Sequence, residues 1–246
     1  MNDRIELLRA QVADGCRILA AHGCMRELVG HVSARIPGTD EMLVRCRRAK
    51  DPGVAFTTPA DIKRVRFDGT SDELDGYSLQ GEFAIHSEIY RRRAEVGGVV
   101  HGHPEASVLC GILDLPFLPV LGAFDVGMLE IAVQPLPVFP RGILISTADL
   151  AAEMCASMGR AEACLLQGHG VVTVGVDVPT AAVRALKLEA MAELTVRMFS
   201  IGRTPKLQRD DEVSALLQRW SANASTYVRW TWDFYRRGMT SPGESP

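Results

Sequence analysis

Three histidines and one glutamate are the residues of this sequence that could carry out chemistry. His101 and His103 are separated by one residue in the run Val-Val-His-Gly-His-Pro. Side chains alternate along a strand, so both imidazoles are expected on the same face. As neutral bases, two neighbouring imidazoles suit one divalent metal ion.

A third imidazole follows much later in the chain. His169 lies between Gly168 and Gly170, just before the apolar residues 171–174. Glycines on both sides indicate a close approach of the backbone to a neighbouring segment. The separation from His103 is too long for a zinc finger, but it suits a catalytic site with three protein ligands and one open position. The alternative is a histidine that only stabilises a turn.

Glu82 begins a predicted helix over residues 81–93, in which Phe83, Ile85 and Ile89 form part of an apolar stripe. A carboxylate beside a metal and apolar walls can have its pKa tuned for proton transfer. The alternative is a glutamate that stabilises only the positive end of the helix dipole.

These residues belong to three motifs, E-x-x-x-H-x-x-I-Y, V-V-H-x-H-P and G-H-G. Together the motifs resemble the class II aldolase/adducin family over about residues 7–200. The resemblance implies that His101, His103 and His169 bind one divalent metal ion per chain and that Glu82 is the catalytic acid/base. It also implies an α/β fold, a three-layer α/β/α sandwich around a mostly antiparallel sheet, assembled as a homotetramer. Zinc is the first expectation for the metal, and manganese, iron and cobalt are alternatives because imidazoles accept all four.

The sequence departs from the sugar-phosphate members of that family in their three phosphate-binding segments. His31 stands where they carry asparagine in G-N-x-S, Ala60-Asp61 replaces the serine and glycine of T-P-S-G, and the serines before Glu82 are absent. Phosphate recognition needs several convergent N–H and O–H donors, so a sugar phosphate is disfavoured. We predict that His31 and Ser33 hold a substrate carboxylate instead. A buried turn histidine is an equal alternative for His31.

Further substrate-binding residues are predicted at Thr58, Gln80 and Tyr227. Tyr227 belongs to a C-terminal aromatic region that contains all three tryptophans of the chain. The resemblance implies that this region closes over the site of a neighbouring subunit. The alternative is a helix whose aromatic side chains pack at a subunit interface without touching substrate.

The predicted function is a metal-dependent carbon–carbon lyase acting on a non-phosphorylated small molecule that bears a carboxylate. Decarboxylation of a dihydroxy-aromatic acid is its leading form, because vicinal hydroxyls can bind the metal through two oxygens. Three alternatives remain: an aldolase of a hydroxy-keto acid or sugar phosphate, a non-haem iron oxygenase of a hydroxyphenylpyruvate-type compound, and a non-catalytic adducin-like interaction domain. The complete set of three histidines and Glu82 disfavours the last.

Composition limits the classes of partner. A net charge of −3 gives no electrostatic case for nucleic acid or an anionic membrane surface. The six cysteines form no CxxC pair, and no signal peptide or long apolar run is present, so we predict a cytoplasmic protein with reduced thiols. Residues 1–239 are predicted to form one domain, and residues 240–246 a disordered tail.

The pattern of apolar residues also predicts the main elements. Helices are expected over residues 2–22, 104–113, 146–158 and 177–199, and short strands over 42–44, 54–57 and 63–67. The proline-rich residues 115–140 are expected to form strands and loops.

Overall fold

The computed structural model of this protein describes residues 2–134 and 136–239, and the predicted disordered tail lies outside them. The helices are α1 (Asn2–Ala21), α2 (Phe83–Arg92), α3 (Glu105–Leu113), α4 (Val126–Ala132), α5 (Ala148–Met158), α6 (Val178–Ser200), α7 (Asp210–Ser221) and α8 (Ala224–Arg237). The strands are β1 (His31–Arg35), β2 (Glu41–Arg45), β3 (Ile62–Arg66), β4 (Gly98–Gly102), β5 (Val138–Phe139), β6 (Ala163–Leu166) and β7 (Gly170–Gly175).

The seven strands form one sheet in the order β3-β2-β1-β4-β7-β6-β5. Every neighbouring pair is antiparallel except β5 and β6, which are parallel. Strand β4 lies at the centre, between β1 and β7. In the β1–β4 ladder His31 is directly opposite His101.

Helices cover both faces of this sheet. On one face Val32 and Val100 pack in a core with residues of α1 and α6. On the other face Val99 and Val172 pack with residues of α2 and α5. The structure therefore confirms the predicted α/β/α sandwich around a mostly antiparallel sheet. Because side chains alternate along a strand, His31, Ser33 and His101 all lie on the side of α2.

Helix α3 begins directly after His103 and Pro104, and a side chain of α6 caps it. Glu189 is buried, and its Oε1 accepts a hydrogen bond from Ala106 N at 2.9 Å. Its Oε2 accepts from Ser107 N at 2.9 Å and from Ser107 Oγ at 2.7 Å. The first amide groups of a helix have no partner within it, so this carboxylate fixes the chain just beyond the histidine pair.

Two predictions of local structure were wrong. Residues 54–57 contain a short 3-10 turn rather than a strand, because Val54 N donates to Glu27 O at 2.7 Å instead of joining a ladder. The proline-rich residues 115–140 include helix α4, whose start is capped by Asp125 Oδ1 accepting from Met128 N at 3.1 Å.

Within the part of the chain that the structure covers, no helix combines the length and the apolar character needed to cross a membrane.

Candidate active site

Glu82, His101, His103 and His169 converge at one place. One ligand atom from each lies within 4.8 Å of the ligand atoms of the other three. His101 is in β4, His103 follows that strand, His169 is in the turn between β6 and β7, and Glu82 immediately precedes α2. The central ladder and one helix end therefore bring together residues that are far apart in the sequence.

Glycines allow the turn that carries His169. Gly168 has a φ of +65°, a left-handed conformation that glycine adopts without strain, and His169 N donates to Leu166 O at 2.9 Å. A Cβ atom on Gly170 would lie 2.3 Å from Gly102 O and 2.9 Å from His103 Cδ2. Only glycine at this position lets the turn approach the histidine pair so closely.

The hydrogen bond of His101 determines which of its nitrogens is free. Its Nδ1 lies 3.0 Å from Val171 O, and because a carbonyl only accepts, Nδ1 carries the proton. In a neutral imidazole Nε2 is then an unprotonated base. This atom lies 3.1 Å from His103 Nε2 and 3.3 Å from Glu82 Oε2. Bases and a carboxylate oxygen thus face one another, an arrangement that a cation stabilises.

His169 supports the same interpretation. Its two ring nitrogens are buried and have no hydrogen-bond partner among residues 2–134 and 136–239. Buried polar atoms without a partner are rare and require an explanation such as a bound ion. His169 Nε2 lies 3.4 Å from Glu82 Oε2. Three imidazoles and one carboxylate are a donor set that divalent zinc, manganese, iron or cobalt accepts, so these residues fit a metal ion.

The protonation states also suit a cation. Burial and the neighbouring His101 and His169 lower the pKa of His103 to about 4, so its imidazole is neutral at neutral pH. Burial raises the pKa of Glu82, but positive charge at His101 and His169 together with the N–H of Ile145 outweighs it, so the pKa lies well below its usual value. With the imidazoles unprotonated, a bound cation would supply that positive charge, and Glu82 would be ionised.

Beside this cluster runs a line of four buried polar side chains. His31 Nδ1 lies 2.5 Å from His86 Nε2, His86 Nδ1 lies 2.6 Å from Ser33 Oγ, and Ser33 Oγ lies 2.8 Å from Tyr90 OH. The sequence identified His31 and Ser33 but not His86. The signal was present, since His86 and Tyr90 follow Glu82 at four-residue spacing and so lie on one face of α2.

The other predicted substrate-binding residues differ in their surroundings. Thr58 N and Thr58 Oγ1 both donate to Asp61 Oδ2, each at 2.8 Å, so this hydroxyl is used within its own turn. Gln80 is buried, and neither heteroatom of its side-chain amide has a partner within the described residues. Gln80 therefore keeps unused hydrogen-bonding capacity two residues before Glu82.

Within one chain, Tyr227 lies away from the cluster of Glu82 and the three histidines. Its ring stacks on Trp220, with 5.5 Å between ring centroids. Both line a cavity of about 430 Å³ between α4, α6, α7 and α8, whose lining includes neither Glu82 nor the three histidines. The chain by itself does not bring Tyr227 to the cluster.

The sequence model of the family described as Class II Aldolase and Adducin N-terminal domain matches residues 10–196, which include the whole cluster. The chain belongs to this family. This confirms the resemblance that the three motifs indicated.

Curated relatives within the class II aldolase family match most of the chain. A 3,4-dihydroxyphthalate decarboxylase of Terrabacter sp. is 39% identical over 197 residues, 79% of this chain and 82% of that protein. A 3,4-dihydroxyphthalate decarboxylase of Rhodococcus jostii is 36% identical over 230 residues, 92% of this chain and 94% of that protein. The prediction of a carbon–carbon lyase agrees with these names.

A solved structure shows the same fold. The aldolase II superfamily protein of Pseudomonas syringae superposes with a TM-score of 0.81 at 20% sequence identity, covering 95% of this chain and 92% of that protein.

Proposed function

We propose that this protein is a metal-dependent decarboxylase of a dihydroxy-aromatic acid that carries a second carboxylate, with 3,4-dihydroxyphthalate as the first substrate to test. The observation that carries the proposal is the convergence of three imidazoles and Glu82 in a chain 36–39% identical to curated 3,4-dihydroxyphthalate decarboxylases.

His101, His103 and His169 are the residues that would hold the metal ion, and zinc is the metal we propose, ahead of manganese, iron and cobalt. When bound, a divalent cation polarises substrate oxygens and stabilises the negative charge that develops on them. The chain contributes three imidazoles, and Val171 O fixes the orientation of the His101 ring through its Nδ1.

Glu82 is the residue that moves the proton. Its Oε1 is held by Ile145 N, so its Oε2 faces the histidines, where the reacting substrate would lie. The ionised carboxylate accepts the proton of a substrate hydroxyl. The substrate carboxylate next to that hydroxyl then leaves as CO₂. The electron pair of the broken C–C bond stays on the ring carbon, and Glu82 returns the proton to this carbon. Solvent then supplies one proton to the hydroxyl oxygen, which balances the reaction.

The surroundings favour a carboxylate over a phosphate. The buried carboxylate of Asp61 occupies the turn that carries phosphate-binding residues in sugar-phosphate aldolases, where it accepts from Thr58 N and Oγ1 and pairs with Arg48 at 3.6 Å, so these donors are already used and are not free for a phosphate. His31, Ser33 and Gln80 are neutral polar groups, and we propose His31 and Gln80 as direct contacts to substrate oxygens. Because the Thr58 hydroxyl is already bonded to Asp61, its contribution would be to shape the turn.

We further propose a single domain over residues 1–239 that assembles as a homotetramer, in which Tyr227 of one subunit completes the site of its neighbour. All six cysteines are free thiols, which favours the reducing cytoplasm.

The test is direct turnover. Zinc-loaded and manganese-loaded protein would be incubated with 3,4-dihydroxyphthalate, and CO₂ and dihydroxybenzoate would be quantified, with Glu82→Gln as the inactive control. Equal amounts of both products are expected. Cleavage of L-fuculose 1-phosphate without CO₂ release would instead identify an aldolase, and oxygen consumption by the iron-loaded protein would identify an oxygenase.

A further inference from the structure

In the buried line Tyr90–Ser33–His86–His31, the chemistry of the groups determines which one donates and which one accepts in each hydrogen bond. All four residues are buried, with exposed fractions between 0% and 4%. Each hydroxyl in such a place needs an acceptor for its proton, because a buried donor without a partner costs about 1–3 kcal/mol.

Tyr90 fixes the first bond of the line. Ser33 Oγ, at 2.8 Å, is the hydrogen-bond partner of Tyr90 OH among the described residues. Burial raises the pKa of the Tyr90 phenol, so it keeps its proton. Tyr90 therefore donates to Ser33, and the hydroxyl proton of Ser33 has His86 Nδ1 at 2.6 Å as its acceptor. The opposite direction would leave the phenol proton without an acceptor.

His86 continues the same order of donors and acceptors. Burial lowers its pKa to about 3, so the ring is neutral and carries one proton. Because His86 Nδ1 accepts from Ser33, the proton is on Nε2, which donates to His31 Nδ1 at 2.5 Å. In a neutral His31 the proton is then on Nε2.

The ring of His31 is next to the metal-ligand cluster. His31 is opposite His101 in the β1–β4 ladder, and the centroids of the two rings are 5.1 Å apart. Among the described residues, His86 is the hydrogen-bond partner of the His31 side chain. His31 Nε2 is therefore available to a ligand.

We propose that Ser33 and His86 are positioning residues that hold His31 as the Nε2–H tautomer, so that His31 donates a hydrogen bond to a carboxylate oxygen of the substrate. The identity of that substrate rests on the proposed function, whereas the tautomer does not. In this arrangement His31 is a fixed donor that recognises an anionic oxygen without itself carrying a charge.

The tautomer can be measured without turnover. Zinc-loaded protein labelled with ¹⁵N-histidine would be studied by NMR, with the His31 signals assigned from their loss in His31→Asn. We expect the proton of His31 on Nε2. Ser33→Ala removes the donor to His86 Nδ1, so both tautomers of His31 should become populated. Tyr90→Phe is the matched control, because the Ser33 proton still has His86 Nδ1 as its acceptor and the tautomer should persist.

Binding gives the second measurement. The Kd of 3,4-dihydroxybenzoate, obtained by calorimetry, should rise roughly tenfold in Ser33→Ala and little in Tyr90→Phe, with zinc content unchanged in both. A His31 proton on Nδ1 in the wild type, or equal effects of the two substitutions, would overturn the proposal. A correct tautomer with an unchanged Kd in Ser33→Ala would overturn the role of His31 in binding. Absence of decarboxylation beside the expected tautomer would count against the proposed function alone.

Discussion

Glu82 Oε1 accepts a hydrogen bond from Ile145 N at 2.8 Å. Ile145 belongs to the segment between β5 and α5, whereas Glu82 immediately precedes α2. One oxygen of this carboxylate is therefore bound to the backbone of a distant segment, and the other faces His101 and His169. The direction in which Glu82 exchanges a proton thus depends on the packing of two separate parts of the chain.

The role of Glu82 in proton transfer can be tested by replacing it with an isosteric amide. Glu82→Gln keeps an oxygen that can accept from Ile145 N but cannot carry the proton. We expect kcat to fall by about 10²–10⁴-fold with little change in KM, measured by steady-state kinetics beside metal analysis. A residue that only stabilised a helix end would change stability by about 0.3–1 kcal/mol and leave kcat intact.

If the three imidazoles bind a metal ion, replacing one of them should remove the bound metal. His103→Ala should abolish the near-stoichiometric divalent metal that we expect in wild-type protein purified without chelator, measured by elemental analysis. The matched control is His22→Ala, an exposed histidine that packs edge-on against Tyr235 away from the cluster, and its metal content should equal that of the wild type. A wild-type protein that holds no metal and cannot be reconstituted would contradict the site.

Glu189 should stabilise the fold through the start of α3. Glu189→Ala leaves the amides of Ala106 and Ser107 without their acceptor, and we expect a loss of about 1.5–3 kcal/mol in the free energy of unfolding, measured with urea. Glu193→Ala on the same helix is the control, because its side chain is 53% exposed and its replacement should cost little. Equal effects of the two substitutions would show that the cap contributes nothing.

His86 predicts a pH dependence of stability. Burial lowers its pKa from the usual 6.5 to about 3, so between these values the unfolded chain binds a proton that the folded protein does not. This contribution to stability is complete above the unfolded pKa and is lost as the pH falls, at most 1.36 kcal/mol per pH unit. From about pH 7 to about pH 5 the wild type should lose roughly 2 kcal/mol more than His86→Gln. Urea unfolding at several pH values measures this, and parallel curves would contradict a neutral buried His86.

The exposed aromatic side chains of α8 predict self-association. Trp230 and Phe234 are 63% and 71% exposed in the isolated chain, which is unusual for such large apolar groups unless they meet another surface. We expect a homotetramer by analytical ultracentrifugation and smaller species for Trp230→Glu, with Trp230→Phe as the apolar control. A wild-type monomer at micromolar concentration would contradict the predicted assembly.

Much of the fold could be predicted because it depends on local periodicity. The strand expected around His101 and His103 corresponds to β4, and the helix expected over residues 177–199 corresponds to α6. Residues 54–57 were assigned wrongly because their apolar character resembles a strand, whereas the backbone partner of Val54 is Glu27, a distant loop residue. Helix α4 was missed because prolines surround it and hide the capping signal of Asp125.

The site residues also include some that the sequence predicts and some whose role depends on tertiary packing. Glu82 and the three histidines have a spacing that is visible in one sequence, and the structure brings all four together. The role of His86 depends on its contact with β1, which exists only after α2 packs on the sheet. Tyr227 shows the limit of a single chain, because any part it plays at the cluster requires a second subunit.

The central ladder has one further consequence. Helices α3, α4 and α5 separate β4 from β7 in the sequence, so His101 and His169 become neighbours only when these two strands pair. In an unfolded chain His101 and His103 remain close in sequence, but His169 is not held beside them. A divalent ion would therefore bind the folded chain more tightly and add that difference to its stability. The metal content of a preparation thus measures the fraction of molecules in which β4 and β7 have paired.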